Sequence, residues 1–212
     1  MTSKLFNYGG IAAAVVLIAF GIGSIVVGLN GRETVRSNLS SEQIVGTPDM
    51  TPKAIAAEAK AAGVRNVAVP ASSVAGLKIN TGSRARTFAQ YMRIHALEAT
   101  GGQVYAQMGR YLDKAGKPTN DEKVAAIDPK SRKPVENPVR NVWVNETALS
   151  TALNTSYFAE NVAMFSVIMG VALLLTGIGF LVLALGLVRA PLRRASESER
   201  ATSAAAAVPV AG

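Results

Sequence analysis

The chain has 212 residues, 49% of them hydrophobic and only 17% charged, with a net charge of +8 and no cysteine. Its mean hydropathy is positive, which is unusual for a soluble domain. The missing cysteine excludes disulfide staples, thiolate metal sites and cysteine nucleophiles. The basic residues form no dense stripe interleaved with aromatics, which argues against a nucleic-acid partner.

Residues 1–10 read as a short N-terminal segment with Lys4 before an apolar run. Ile11–Leu29, IAAAVVLIAFGIGSIVVGL, has Ser24 as its only polar side chain. That is long enough to cross a hydrocarbon core of about 30 Å. A signal peptide has an apolar stretch of about 7–15 residues and a small-residue cleavage site. This run is longer and GLNGRE offers no such site, so an uncleaved signal anchor is the expectation.

Residues 30–161 are expected to form an α-rich domain, with α+β as the alternative. Asn30–Val45 can continue the first helix until GTPDMTP breaks it. Thr51 then reads as an N-cap, Pro52 as the first helical residue and Gly63 as the terminator of an alanine-rich helix. VRNVAVP alternates like a short strand ending at Pro70, and Leu77–Ile79 is a candidate second strand.

Ser83–Thr100 is the expected main helix. Phe88, Met92 and Ala99 cluster on its apolar face, with Tyr91 and His95 flanking. Gly101-Gly102 ends it. The spacing of Val104, Met108, Tyr111 and Leu112 predicts a second helix over Gln103–Leu112, packed against the first as the domain core. Asp113–Asn141 is polar, with four of the nine prolines, and reads as a long exposed loop carrying one short helix at Asn120–Ile127. VWV around Trp143 reads as a strand or a packed anchor.

Asn145 is expected to cap a helix running unbroken from Glu146 through the second apolar run, residues 162–188. That run, VAMFSVIMGVALLLTGIGFLVLALGLV, contains no charge. Residues 189–212 read as a basic, low-complexity, disordered tail.

Two spans place both ends on one side. Basic residues flank both, at Lys4 and at Arg189, Arg193 and Arg194, so both termini are expected in the cytoplasm and residues 30–161 outside. The outer segment carries 17 Lys and Arg against 12 Asp and Glu. Gly21 and Gly28 recur at the same seven-residue interval as Gly170 and Gly177. In an antiparallel pair Gly21 can face Gly177 while Gly28 faces Gly170, letting the backbones approach; a self-association face is the alternative.

Candidate chemistry is sparse. His95 is the only histidine and reads first as a packed residue donating one hydrogen bond. Because histidine alone titrates unperturbed near neutrality, it is also the candidate pH-responsive contact. A facial-triad iron site needs two histidines, so no metal or cofactor is expected. Asp121, Glu122, Asp128 and Glu136 sit in the polar loop and read as solvated charges, not as a rigid carboxylate pair of the kind glycosidases use. TNDE at Thr119–Glu122 resembles a helix cap and lacks the calcium-loop pattern. No nucleophile elbow, phosphate loop or dinucleotide fingerprint occurs. Asn38, Asn145 and Asn154 open sequon triplets, which arise often by chance. Arg193–Ser196 reads as a positive anchor followed by a polar tail, or as a kinase motif.

KLFNYGGIAAAVVLIAFGIGSIVVGLNGR, EQIVGTPDMTP, YMRIHALEATGGQVYAQMGRYL, GKPTNDEKVAAIDPK and ETALSTALNTSYFAENVAMF together resemble a family of uncharacterised actinobacterial two-span membrane proteins, over nearly the whole chain. The resemblance implies a bacterial plasma membrane and carries over no catalytic residue. Members often bear the label of aromatic ring-opening dioxygenase, which implies an iron site; this chain has one histidine and no cysteine. The expectation for function is a non-enzymatic, membrane-anchored interaction or accessory protein of the cell envelope. Its partners would be the bilayer, an unknown envelope protein and, as an alternative, a second copy. An envelope enzyme, either a hydrolase or the labelled dioxygenase, is the runner-up.

Overall fold

A computed structural model describes residues 2–64 and 67–206, with side chains over residues 8–64 and 67–186. The described residues form four α-helices: α1 (Thr2–Ser41), α2 (Pro52–Ala61), α3 (Gly82–Ala99) and α4 (Val139–Ala206). Two two-residue strands, β1 (Tyr111–Leu112) and β2 (Pro118–Thr119), pair antiparallel. The chain divides into two compact units, Met1–Asn30 with Val162–Gly212, and Gly31–Asn161.

In the first unit the apolar stretches of α1 and α4 pack against each other. Two helices of the chain are long and apolar enough to cross a membrane. Their burial pattern separates them from soluble core helices. Only small residues are buried, at strict seven-residue intervals: Ala14, Gly21 and Gly28 on α1, and Ala163, Gly170, Gly177 and Ala184 on α4. Many large side chains, among them Phe20, Val27, Phe165, Ile168, Leu175 and Val182, point outward and are exposed, while Ile18, Ile25 and Val167 flank the seam. The pair hides its alanines and glycines and exposes phenylalanines, the small-residue packing typical of helix pairs in an apolar medium.

The glycine seam forms, but in a different register from the one expected. A Cβ on Gly21 would lie 2.8 Å from the Gly170 carbonyl oxygen, and one on Gly28 would lie 2.6 Å from the Ala163 carbonyl oxygen. Gly177 instead meets Ala14, whose carbonyl oxygen lies 3.0 Å from the Cβ position. The pairing is displaced by seven residues because alanines at 14 and 163 extend the small-residue rows beyond the glycines. A sustained seven-residue repeat brings coiled-coil-like packing.

The second unit is assembled from capped elements. Thr51 caps α2, its side chain accepting from the Ala54 amide at 3.2 Å. Gly63 follows with φ +68°, so α2 starts and ends where the sequence signals place it. Thr81 caps α3, accepting from the Arg84 amide at 3.3 Å. Residues 65 and 66 lie outside the described residues; 67–70 form no strand. The expected strand at Leu77–Ile79 is reduced to a bridge between Lys78 and Val45. There Gly46 donates to the Leu77 carbonyl at 3.0 Å and Ile79 to the Ile44 carbonyl at 2.9 Å. The main core gathers Leu39, Met50, Ile55, Val74, Ile79, Ala85, Ala89, Tyr91, Ile94 and Leu153. Tyr91 is fully buried and donates its hydroxyl to the Ser72 carbonyl at 3.0 Å.

Further expectations fail beyond these two expected strands. Gln103–Leu112 is not a second helix: it holds one 3-10 turn at Tyr105–Gln107 and then β1. Gly101 and Gly102 take φ +62° and +77°. Gly109 lies so close to Pro118 and Thr119 that a Cβ would sit 2.5 Å from the Thr119 nitrogen. Extended pairing therefore replaces the helix. Met108 and Val104 do pack, but with Ala96 and Trp143 in a separate cluster, away from Phe88, Tyr91 and Met92.

Nor is Asp113–Asn141 a free loop with a helix at Asn120–Ile127. Bridges join Tyr111 to Glu136, Asp113 to Ala125 and Ile127 to Pro134. Finally, α4 begins at Val139, not after Asn145. Asn137 caps it, accepting from the Val139 amide at 3.1 Å, while its own amide donates to the Gly109 carbonyl at 3.0 Å. At its far end α4 continues to Ala206, so most of the tail expected to be disordered is helical; residues 207–212 lie outside the described residues. Its run of alanine, arginine and glutamate favours helix.

Candidate functional site

Three places in the second unit concentrate charge. The first surrounds His95. It projects from α3 toward the 46–51 turn and α2. Its Nε2 lies 3.0 Å from Asp49 Oδ2 and 3.5 Å from Glu58 Oε2. The turn fixes Asp49: Met50 donates to the Thr47 carbonyl at 3.1 Å, Thr51 donates to the Asp49 carbonyl at 2.6 Å, and Met50 is buried beneath. Gly46 makes the turn possible, since a Cβ there would fall 2.0 Å from the Val74 carbonyl oxygen. The Thr47 hydroxyl holds the Asp49 carboxyl below the usual carboxylate range, with the His95 imidazole contributing less. Glu58 stands at the edge of the face of α2 that Ile55 and Ala59 bury. All three donor atoms lie within 4.8 Å of one another, and all three residues are half-buried.

The second place is a cavity of about 500 Å³ whose polar lining includes Gln90, Arg93, Glu146, Ser150, Thr151 and Asn154. The Arg93 guanidinium stacks 3.8 Å from the centre of the Trp143 ring and reaches Glu146 Oε2 at 3.1 Å. Ser150 donates to Glu146 Oε1 at 2.7 Å. Both oxygens of the buried Glu146 carboxylate are thus occupied. Trp143 is the anchor anticipated, though within a helix. Arg93, itself exposed, lies over its ring.

The third place is Glu160 on α4. Its Oε1 accepts from Arg36 Nε at 2.8 Å and from Arg32 Nε at 3.1 Å. Its Oε2 accepts from the Gly82 amide at 2.5 Å. One carboxylate therefore ties α1 to the first turn of α3, where the helix dipole also favours negative charge. Burial alone would push this carboxyl up; the Gly82 amide, Arg36 and Arg32 outweigh it and hold it below the usual range.

Of the residues singled out from the sequence, Gly21, Gly28, Gly170 and Gly177 lie in the seam of the first unit, Gly21 against Gly170. His95 alone reaches a cluster of ionisable groups. Asp121, Glu122 and Glu136 are exposed and Asp128 is half-buried; Asp128 accepts from the Lys130 and Ser131 amides in a turn. Asp49 and Glu58 escaped notice because they stand on different elements with no motif spacing to His95. Glu160 escaped because its partners are distant in sequence. An iron triad of two histidines and one carboxylate does not fit the residues present. The chain matches no family model, no curated protein and no solved structure.

Proposed function

We propose that this chain is a membrane-anchored, non-enzymatic interaction or accessory protein of the bacterial cell envelope. In this reading α1 and α4 span the plasma membrane, both termini are cytoplasmic and residues 30–161 are presented outside. The observation that carries it is the helix pair of the first unit, which buries only small residues and turns many large apolar ones outward. Uncharged spans give no relay for ions or protons, since such pathways carry ionisable residues within the membrane. Two carboxylates of the second unit with charged and backbone donors support the non-enzymatic reading. Glu146 and Glu160 are saturated by Arg, Ser and backbone donors that hold helices together.

One observation favours the runner-up, an envelope hydrolase: an imidazole beside two carboxylates can move protons. The test is photo-crosslinking in intact cells from exposed positions such as Val124 and Ile127, paired with turnover assays on purified protein. A reproducible adduct with a defined envelope protein is expected. Turnover that His95→Gln abolishes, with the domain still folded and protease-resistant, would replace this reading with the enzymatic one.

A further inference from the structure

His95 is poorly explained as a simple packed residue. Its Nε2 is shielded from solvent and makes no accepted hydrogen bond. Two carboxylate oxygens nevertheless stand 3.0 and 3.5 Å away. At 3.0 Å from Asp49 Oδ2 the fault lies in direction, and Glu58 Oε2 at 3.5 Å stands beyond ordinary hydrogen-bond length. Protonation does not repair this, because Nε2 carries a single hydrogen and two acceptors compete for it.

An ion between the three donors would satisfy all of them. A zinc ion with bonds of about 2.1 Å to nitrogen and oxygen has its ligands about 3.4 Å apart at the corners of a tetrahedron. The two measured edges, 3.0 and 3.5 Å, bracket that value. The third edge lies within 4.8 Å, and small rotations of the half-buried carboxylates can close it. The donor set is one imidazole and two carboxylates, with no thiolate in the chain. That set suits a divalent transition ion of the zinc class, and the two negative charges balance it.

Supporting residues are already in place. The 46–51 turn holds Asp49 through the Met50 and Thr51 amide bonds, and Thr47 keeps its carboxyl below the usual range, a support of the kind that outer-shell partners give metal-bound carboxylates. We infer that Asp49, Glu58 and His95 form a binding site for one zinc-class divalent ion, pinning the 46–51 turn and α2 to α3. Three protein ligands leave a fourth position open. On this half-buried surface it is accessible to water or to a donor from another molecule. The site does not depend on the domain being enzymatic or not, since binding is its readout.

The full-length protein in detergent micelles, purified with a histidine-free tag, is titrated with Zn²⁺ by calorimetry and with Co²⁺ by visible absorption. One equivalent of Zn²⁺ is expected to bind, with a rise of the unfolding temperature in excess metal. Co²⁺ is expected to give the d–d bands of a four-coordinate N/O site. His95→Gln and Asp49→Asn should each weaken binding by at least the ~10–100-fold that loss of an outer-shell partner costs. Their metal-free unfolding temperatures should stay near that of the parent. Should one variant unfold, Glu58→Gln and the Co²⁺ spectrum of the parent protein take over its role. The inference is overturned if the folded parent shows no saturable binding. It is equally overturned if the variants bind Zn²⁺ as the parent does, or if Mg²⁺ competes equally at equal concentration, since imidazole would then be irrelevant.

Discussion

At the scale of single residues, burial decides which substitutions matter. Ile94 is buried in the main core, whereas Met92 only packs against its edge. Truncating Ile94 to alanine should cost about 2–5 kcal/mol. Met92→Ala should cost clearly less, although the wheel of α3 places Met92 at the centre of the apolar face and Ile94 outside it. Chemical denaturation of the two variants in micelles checks the order. Gly46→Ala should be more severe than its size implies. Its methyl would meet the Val74 carbonyl oxygen at 2.0 Å, so the turn that carries Asp49 must shift.

Glu160 makes a prediction in pH. Its folded-state value is depressed, so its contribution is fully present above the unfolded-state value of about 4.3. That contribution is lost as pH falls through the lower, folded-state value. Glu160→Gln should remove the corresponding acid dependence. It should also cost about 2–3 kcal/mol, less than a fully buried pair because both arginines are about a third exposed. An unfolding series from pH 7 to pH 3 on both proteins provides the comparison.

At the scale of elements, sequence signals worked where they were local. Thr51-Pro52 and Gly63 bracket α2, and Gly101-Gly102 ends α3, because caps act on the nearest turn; the Thr81 cap, one residue before Gly82, escapes the sequence reading. A comparable cap-then-proline signature, Asn137-Pro138, starts α4, eight residues before the Asn145 that the sequence reading takes as its cap. Residues 103–136 were not legible. Their order comes from single bridges between segments, and a pairing of two residues leaves no period to detect. Amphipathic spacing at Val104, Met108 and Tyr111 imitated a helix that Gly109 and the glycine pair prevent. The cluster around His95 was illegible for a related reason: the turn, α2 and α3 meet through tertiary packing alone.

The helix seam offers a sharper test. With no native cysteine, the pair Ala14→Cys and Gly177→Cys should oxidise to a disulfide in membranes. The pair Gly21→Cys and Gly177→Cys should not, because seven residues shift the contact by about 10 Å along the axis. The opposite pattern would restore the Gly21–Gly177 register.

At the scale of the whole molecule, the central claim is that the two apolar helices hold residues 30–161 on the outer face of the membrane with both ends inside. The span lengths and the basic flanks motivate that proposal. The most direct measurement uses single cysteines at Ser131→Cys and Ser203→Cys in intact cells, probed with a membrane-impermeant thiol reagent and again after lysis. The account predicts that Ser131→Cys is labelled in intact cells and Ser203→Cys only after lysis. Labelling of Ser203→Cys in intact cells, with Ser131→Cys protected until lysis, would contradict it.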